Sequence, residues 1–217
     1  MLRTFLCLLV LVENILCCTI KTWNPFHPRN THFAALILAR GGSKSIPLKN
    51  LSLIGNLTLL EKSLGVIESA KVFDSIWVST DNEEIALKAS RVNVHYNVNN
   101  NVSGDFSSSI DAVKYFLTFH KEIDILALVQ CTSPFLNRNH LKRGVSILRS
   151  GEECSFAVTK NTKLHWGRTS NGIFPVNFDP KSRPRRQDIK NQFTENGMFY
   201  ISTRKFRDFN LSHFNVL

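Results

Sequence analysis

Short apolar runs alternate with amphipathic stretches along most of this chain, the rhythm of an α/β fold. Phe33 to Ala39, Ser75 to Ser79, Val92 to Tyr96, Ile123 to Val129, Cys154 to Thr159 and Met198 to Ser202 are each too short for a typical helix and are expected as strands. Ile123 to Val129 reads as the most deeply buried of them. Between the strands, apolar residues recur at helical spacing. Thr58 to Lys71 brings Leu59, Leu60, Leu64, Ile67 and Ala70 to one side, with Lys62 and Glu68 left for water. Glu84 to Ser90 groups Ile85, Ala86 and Ala89, and Thr80 with Glu83 three places on has the spacing of a capping box. Ser107, Ser108 and Ser109 open a helix that turns Ile110, Val113, Phe116 and Leu117 inward, and Asn139 to Arg149 does so through Leu141, Val145 and Leu148. From Lys160 to Phe193 the periodicity is lost, with Trp166, Phe174, Pro175 and Phe178 scattered through polar residues. An excursion of that length in a compact domain is expected to be functional or to cover a partner.

Composition narrows this little. The 217 residues are 43% hydrophobic and 20% charged, an ordinary globular balance for one α/β domain. Lys and Arg number 27 against 17 acidic residues, a formal charge of +10, which attracts polyanions and leaves nucleic acid, nucleoside triphosphates and acidic sugars all open. The first eighteen residues change the picture more. Arg3, an apolar stretch from Phe5 to Val12 and small residues at 17 to 19 resemble a secretory signal or short signal anchor, interrupted by Glu13. The expected organisation is a leader over residues 1–18, a linker over 19–32 and a single domain over 33–217. A leader implies the secretory pathway, in the Golgi or endoplasmic reticulum lumen, with membrane contact only if it is retained. Cys7, Cys17 and Cys18 lie in it, and Cys131 and Cys154 are expected to pack as small apolar residues. Asn50, Asn56, Asn101 and Asn210 begin N-x-[ST] sequons, of which Asn50 is expected to stay bare because a glycan would obstruct the loop beside it.

The chemistry gathers at strand ends. Phe33 to Ala39 spills into Arg40-Gly41-Gly42-Ser43-Lys44, with Lys49 and Asn50 following. At the carboxyl end of a parallel strand, a glycine pair lets backbone N–H groups close on an anion, Arg40, Lys44 and Lys49 supply countercharge, and Ser43 supplies a hydroxyl. Neither GxxxxGK[ST] nor GxGxxG is present, so this is not a common ATPase or dinucleotide loop. Asp81 sits at the end of the next strand, either as a helix cap or near a bound nucleotide. Gln130, Thr132 and Ser133 leave the end of the most buried strand and point to the same crevice, unless the two hydroxyls merely satisfy the turn at Pro134. Arg183-Pro184-Arg185-Arg186-Gln187-Asp188 is a dense cationic cluster inside the excursion, also compatible with a nucleic-acid or import patch.

Read as whole strings, these motifs resemble the acylneuraminate cytidylyltransferases, the CMP-sialic acid synthetases. Ala39 to Lys44 with Ile46-Pro47-Leu48-Lys49-Asn50 is similar to their nucleotide-binding signature, with Ser45 where that family usually has glycine. Val78 to Asp81 (VSTD), Ser103 to Val113 (SGDFSSSIDAV), Gln130 to Pro134 (Q-x-T-S-P), Arg183 to Asp188 and Glu195-Asn196-Gly197-Met198-Phe199-Tyr200 follow in the family's order. The resemblance implies a three-layer, mostly parallel nucleotide-diphosphosugar-transferase (Rossmann-like) fold. Its dimerisation excursion, 160–193, would reach a second subunit in a homodimer or homotetramer. It implies that CTP and N-acetylneuraminate give CMP-N-acetylneuraminate and pyrophosphate, with Mg2+ as cofactor. Arg40, Lys44 and Lys49 would be catalytic. Arg40, Gly41, Gly42, Ser43, Lys44, Lys49, Asn50, Asp81 and Ser109 would hold the nucleotide, and Gln130, Thr132, Ser133 and Arg185 the sugar acid.

Two departures qualify what the resemblance implies. An arginine that the family carries before the serine loop is replaced by the region Tyr96, Asn97 and Val98. The D-x-D segment whose aspartates hold the metal has no counterpart before Leu217, and Asp179, Asp188 and Asp208 are isolated. The expectation is therefore weak CTP binding and poor turnover by this chain. Rival readings are a cytidylyltransferase for another 2-keto sugar acid and an impaired form that associates with a complete enzyme. Nucleic-acid binding lacks the aromatic or zinc signatures that would accompany it and is not expected.

Overall fold

A computed structural model describes residues 30–42, 46–96, 108–189 and 192–204, and the backbone of 15–18. They fall into two compact units, one running up to Ala157 and resuming at Gly197, the other spanning Val158–Asn196.

The first unit is built on a seven-stranded sheet ordered β1-β8-β11-β7-β2-β5-β6. Its strands are β1 (Ile15–Cys18), β2 (Phe33–Leu38), β5 (Ser75–Thr80), β6 (Asn93–Tyr96), β7 (Ile125–Val129), β8 (Cys154–Lys160) and β11 (Phe193–Thr203). β7, β2, β5 and β6 run parallel, whereas β11 is antiparallel to β7, and β1 is antiparallel to β8. A two-stranded hairpin of β3 (Leu53–Ile54) and β4 (Leu57–Thr58) precedes the first helix.

β2 is apolar at every position because both faces of the sheet are covered. Phe33, Ala35 and Ile37 join a core with Leu60, Leu64 and Ile67 of α1 (Leu59–Ala70), Ile85 of α2 (Glu83–Lys88) and Leu141, Val145 and Leu148 of α4 (Arg138–Arg149). Ala34 and Leu36 point the other way, into Val113, Phe116 and Leu117 of α3 (Ser109–Phe119). The two alternating sets make three layers around a mostly parallel sheet. α4 approaches β11 so closely that a Cβ on Gly144 would stand 2.8 Å from Ile201 Cδ1 and 2.9 Å from Phe199 Cε2.

The start of β2 is pinned by carboxylates, the His32 N–H donating to Asp124 Oδ2 at 2.9 Å and the Phe33 N–H to Asp74 Oδ2 at 2.8 Å. Arg204 locks the far end of β11. Its guanidinium donates to the carbonyls of Ile123 at 2.9 Å, Leu117 at 3.1 Å and His120, so one cation satisfies the end of α3.

Helix caps differ from the sequence expectation. α1 carries the true capping box, with the Glu61 N–H donating to Thr58 Oγ1 at 3.1 Å and the Thr58 N–H to Glu61 Oε2 at 2.9 Å. α2 is capped by Asn82, whose Oδ1 accepts from the Ile85 N–H at 3.1 Å, rather than by Thr80. Thr80 is still strand, paired with Tyr96, so its spacing to Glu83 carries no box. β1 falls within the stretch expected as leader, Ile15 opposite Ala157 and Cys18 opposite Cys154. The rest of that leader, residues 19–29 of the linker, the loop 97–107 and the sequons at Asn101 and Asn210 lie outside the described residues.

The second unit, expected to be irregular, contains a hairpin of β9 (Trp166–Thr169) and β10 (Gly172–Pro175). Gly172, at φ 122, takes the left-handed conformation that the turn between them requires. Trp166 packs edge-on to Phe178 at 5.0 Å, while Asn177 accepts from the His165 N–H at 2.7 Å and donates to the Lys163 carbonyl at 2.9 Å. Trp166, Ile173, Phe174 and Val176 nevertheless remain exposed.

Candidate functional site

Parallel pairing delivers three chain segments to one edge of the sheet. Leu36 stands opposite Leu128, and Leu38 opposite Ser79, so the residues after β2, β5 and β7 emerge side by side at the carboxyl ends of their strands. In open α/β sheets that edge is where ligands bind. Arg40 and the glycines arrive from β2, Asp81 from β5 and Gln130 from β7.

The glycine loop is held at both ends. Ala39 extends the strand pairing by one bond, its N–H donating to the Ser79 carbonyl at 2.9 Å. The Gly41 N–H then donates to Asp81 Oδ1 at 2.7 Å, and Asn50 Nδ2 donates to the Arg40 carbonyl at 3.2 Å. Asn50 is 8% exposed and belongs to a short 3-10 turn, Lys49–Leu51, entered through Leu48 in the left-handed conformation at φ 49. A leucine rarely adopts that geometry, which marks the turn as locally strained.

The two glycines serve different purposes. A Cβ on Gly41 would lie 2.8 Å from Asn82 Cβ and 3.0 Å from its Nδ2, so no side chain fits between loop and helix cap. A Cβ on Gly42 would meet nothing within 4 Å, leaving that face of the loop open. Arg40, directly before Gly41, is exposed, and Lys49, directly before the Asn50 that bonds the Arg40 carbonyl, is half-buried. Ser43 and Lys44, the other members of the expected phosphate set, lie outside the described residues.

At the end of β7 the Gln130 N–H donates to the Met198 carbonyl at 3.1 Å, and the Gln130 carbonyl accepts from the Ser133 N–H at 3.2 Å. The Leu136 N–H donates to the Ser133 carbonyl at 3.0 Å. Backbone bonds therefore close this turn, and the hydroxyls of Thr132 and Ser133 are not what closes it. Thr132 is exposed, with Gln130 and Ser133 half-buried. Ser109 is the first residue of α3, but the cap is Ser108, which accepts from the Asp111 N–H at 3.1 Å.

Arg185 belongs to the second unit, where its Nε and Nη2 donate to the two oxygens of Asp188 at 2.9 and 3.2 Å. That is the fork geometry by which arginine grips a carboxylate. Cys131 and Cys154 are buried thiols outside any disulfide, and burial pushes the Cys131 thiol up to about 12, which disfavours its thiolate at neutral pH. Among the described residues no cluster of three or more His, Cys, Asp or Glu side chains has a metal-binding arrangement.

Sequence reasoning missed two roles. Asp81 and Asn50 act on the backbone of the loop, and nothing in the local pattern announces contacts spanning forty and ten residues. A short polar side chain directly after a strand, as at Asp81, was the available signal.

Known proteins resemble this chain in sequence and in fold. The chain is 38% identical over 189 residues to an N-acylneuraminate cytidylyltransferase A of Danio rerio, covering 84% of this chain and 44% of the relative. An N-acylneuraminate cytidylyltransferase of Oncorhynchus mykiss is 41% identical over 180 residues, 80% of this chain and 41% of the relative. The chain thus spans less than half the length of these relatives. Among solved structures, a CMP:2-keto-3-deoxy-manno-octonic acid synthetase complexed with CTP superposes with a TM-score of 0.59 at 16% identity, over 86% of this chain and 80% of that one, a likeness of fold. The family model described as Cytidylyltransferase matches residues 34–215, from the second residue of β2 past the end of β11, and with it this chain belongs to the cytidylyltransferase family.

Proposed function

We propose that this chain carries the nucleotide-binding core of an N-acylneuraminate cytidylyltransferase, binding CTP at the β2 loop and coupling it to N-acetylneuraminate. The observation that carries the reading is the loop itself: a glycine pair pinned by Asp81 and Asn50, one face open, with the cations Arg40 and Lys49 next in sequence to the pinned residues. The names of its relatives support the choice of nucleotide and sugar.

In the reaction the anomeric hydroxyl oxygen of the sugar acid bonds to the α-phosphorus of CTP as the bond from that phosphorus to the α,β-bridging oxygen breaks. Pyrophosphate departs, and the hydroxyl proton is lost to solvent. Charge accumulates on the leaving oxygens, and Arg40, Lys44 and Lys49 are the residues suited to offset it. Gln130, Thr132 and Ser133, delivered by the neighbouring strand, suit the sugar side. Mg2+ is the proposed cofactor; bound to the triphosphate it would offset part of the charge on the departing pyrophosphate.

Two further parts of the proposal concern assembly and place. The exposed Trp166, Ile173, Phe174 and Val176 support docking of a second copy on the hairpin unit in a homodimer or homotetramer. The apolar leader and the exposed sequon at Asn56 support residence in the secretory pathway. Pyrophosphate release from CTP with N-acetylneuraminate, in competition with other 2-keto sugar acids, tests the reaction. Release driven best by a different sugar acid, or by a different nucleotide, overturns it.

A further inference from the structure

The structure assigns Asp81 a positioning role: its carboxylate sets the phosphate loop through the Gly41 N–H and does not contact the nucleotide by its charge. This rests on the reading of the β2 loop as the CTP site. The Gly41 N–H donates to Asp81 Oδ1 at 2.7 Å, a charge-assisted bond of short length. Asp81 follows directly after β5, which is paired in parallel with β2, so its backbone is fixed by the sheet. Asn82, the next residue, caps α2 and stands against Gly41, where an added Cβ would be 2.8 Å from its own. Gly41 is thereby gripped from one side by contact and hydrogen bond, while Asn50 draws the Arg40 carbonyl at 3.2 Å.

A bare carboxylate beside a triphosphate repels it, so Asp81 helps binding only through the shape it imposes. The open face of the loop at Gly42 is then set before binding, without reorganisation, which is what preorganised anion sites require. The role of the carboxylate is to accept one hydrogen bond at one place; its charge is dispensable.

This separates acceptor from charge. Asp81→Asn keeps an oxygen acceptor and removes the charge. Asp81→Glu keeps the charge and moves the acceptor by one methylene, and Asp81→Ala removes both. Titration calorimetry with CTP on the full chain reads the affinity, and amide exchange at Gly41 reads the anchor without nucleotide. The expected result is that Asp81→Asn binds CTP at least as tightly as the parent and keeps Gly41 protected. Asp81→Glu and Asp81→Ala are expected to lose about tenfold or more, the size of one misplaced or missing charged hydrogen bond, with faster Gly41 exchange. Should Asp81→Ala fail to fold, the Asn and Glu pair decides alone. Equal loss in Asn and Glu, or binding retained by Glu and lost by Asn, overturns the role. A parent chain that ignores CTP while Gly41 protection follows the predicted order strikes down the nucleotide reading and leaves the anchor standing.

Discussion

Replacing Gly41 by alanine is the sharpest perturbation of the loop, because it adds one carbon and nothing else. That carbon would lie 2.8 Å from Asn82 Cβ and 3.0 Å from Asn82 Nδ2. The amide nitrogen belongs to a side chain that already caps α2 at 3.1 Å, and the Cβ is fixed by the helix start, so the helix side yields little and the loop must move. Overpacking of this kind costs about 1–3 kcal/mol. The outward shift also stretches the 2.7 Å bond from the Gly41 N–H to Asp81, worth about 1.5–3 kcal/mol as a hydrogen bond to a charged group. The two terms share one displacement, so the larger bounds the total at about 3 kcal/mol, or roughly a hundredfold in CTP affinity. Calorimetric titration with CTP beside thermal unfolding measures both sides of that balance. Unchanged affinity in Gly41→Ala, with unchanged stability, would refute the close-packed loop.

Other perturbations probe the scaffold around the loop. Arg204→Ala removes hydrogen bonds to the carbonyls of Leu117 and His120 at the end of α3 and of Ile123 ahead of β7, and is expected to lower stability by about 3 kcal/mol in urea unfolding, with Arg204→Lys recovering only part. His95, half-buried among Tyr115, Phe116 and Phe119 on α3 and beside His120, whose other ring nitrogen meets Glu122, is pushed below its ordinary value by burial and then by the charge of His120. Its folded form therefore holds the proton less well than the unfolded chain. Stability is expected to be full above the unfolded value near 6.5 and to fall as pH drops through it. Melting curves from pH 7.5 to 5.5 read the slope, and His95→Phe should flatten it; an equal slope in that variant contradicts the assignment. Ile173→Asp, at a side chain 71% exposed, should leave the melting temperature within about a degree while reducing the mass measured by light scattering, if the hairpin unit pairs with a second copy. Expressed with its leader in a secretory host, Asn56 should gain a glycan that endoglycosidase removes, and buried Asn50 should not.

What the chain disclosed on reading was whatever depends on neighbours in sequence. β2 was legible because an apolar run on both pleats, too short for a typical helix and ending in two glycines, reads as a buried parallel strand, whereas the loop after it took its meaning from the whole motif string. The four α-helices among the described residues were legible from the spacing of apolar residues that the two cores bear out. The capping boxes show the limit. Thr58 with Glu61 and Thr80 with Glu83 share the same spacing, yet only the first is a box, because Thr80 is committed to the sheet through its pairing with Tyr96. The β9–β10 hairpin escaped notice since its strands are four residues each and expose most of their side chains, leaving no alternation to detect. Resemblance to the family brought Asp81 and Asn50 to the site, but how they act was hidden: both hold the loop backbone, Asp81 across forty residues of chain.

The measurement closest to the central claim is CTP binding by the purified chain, with Arg40 and Lys49 each replaced by alanine and UTP, ATP and GTP as competitors. The account predicts a heat or melting shift with CTP that the other nucleotides fail to reproduce and that either alanine variant weakens about tenfold or more, as loss of a charge-assisted phosphate contact should. A response equal for all four nucleotides, or one that survives both substitutions together, would contradict it.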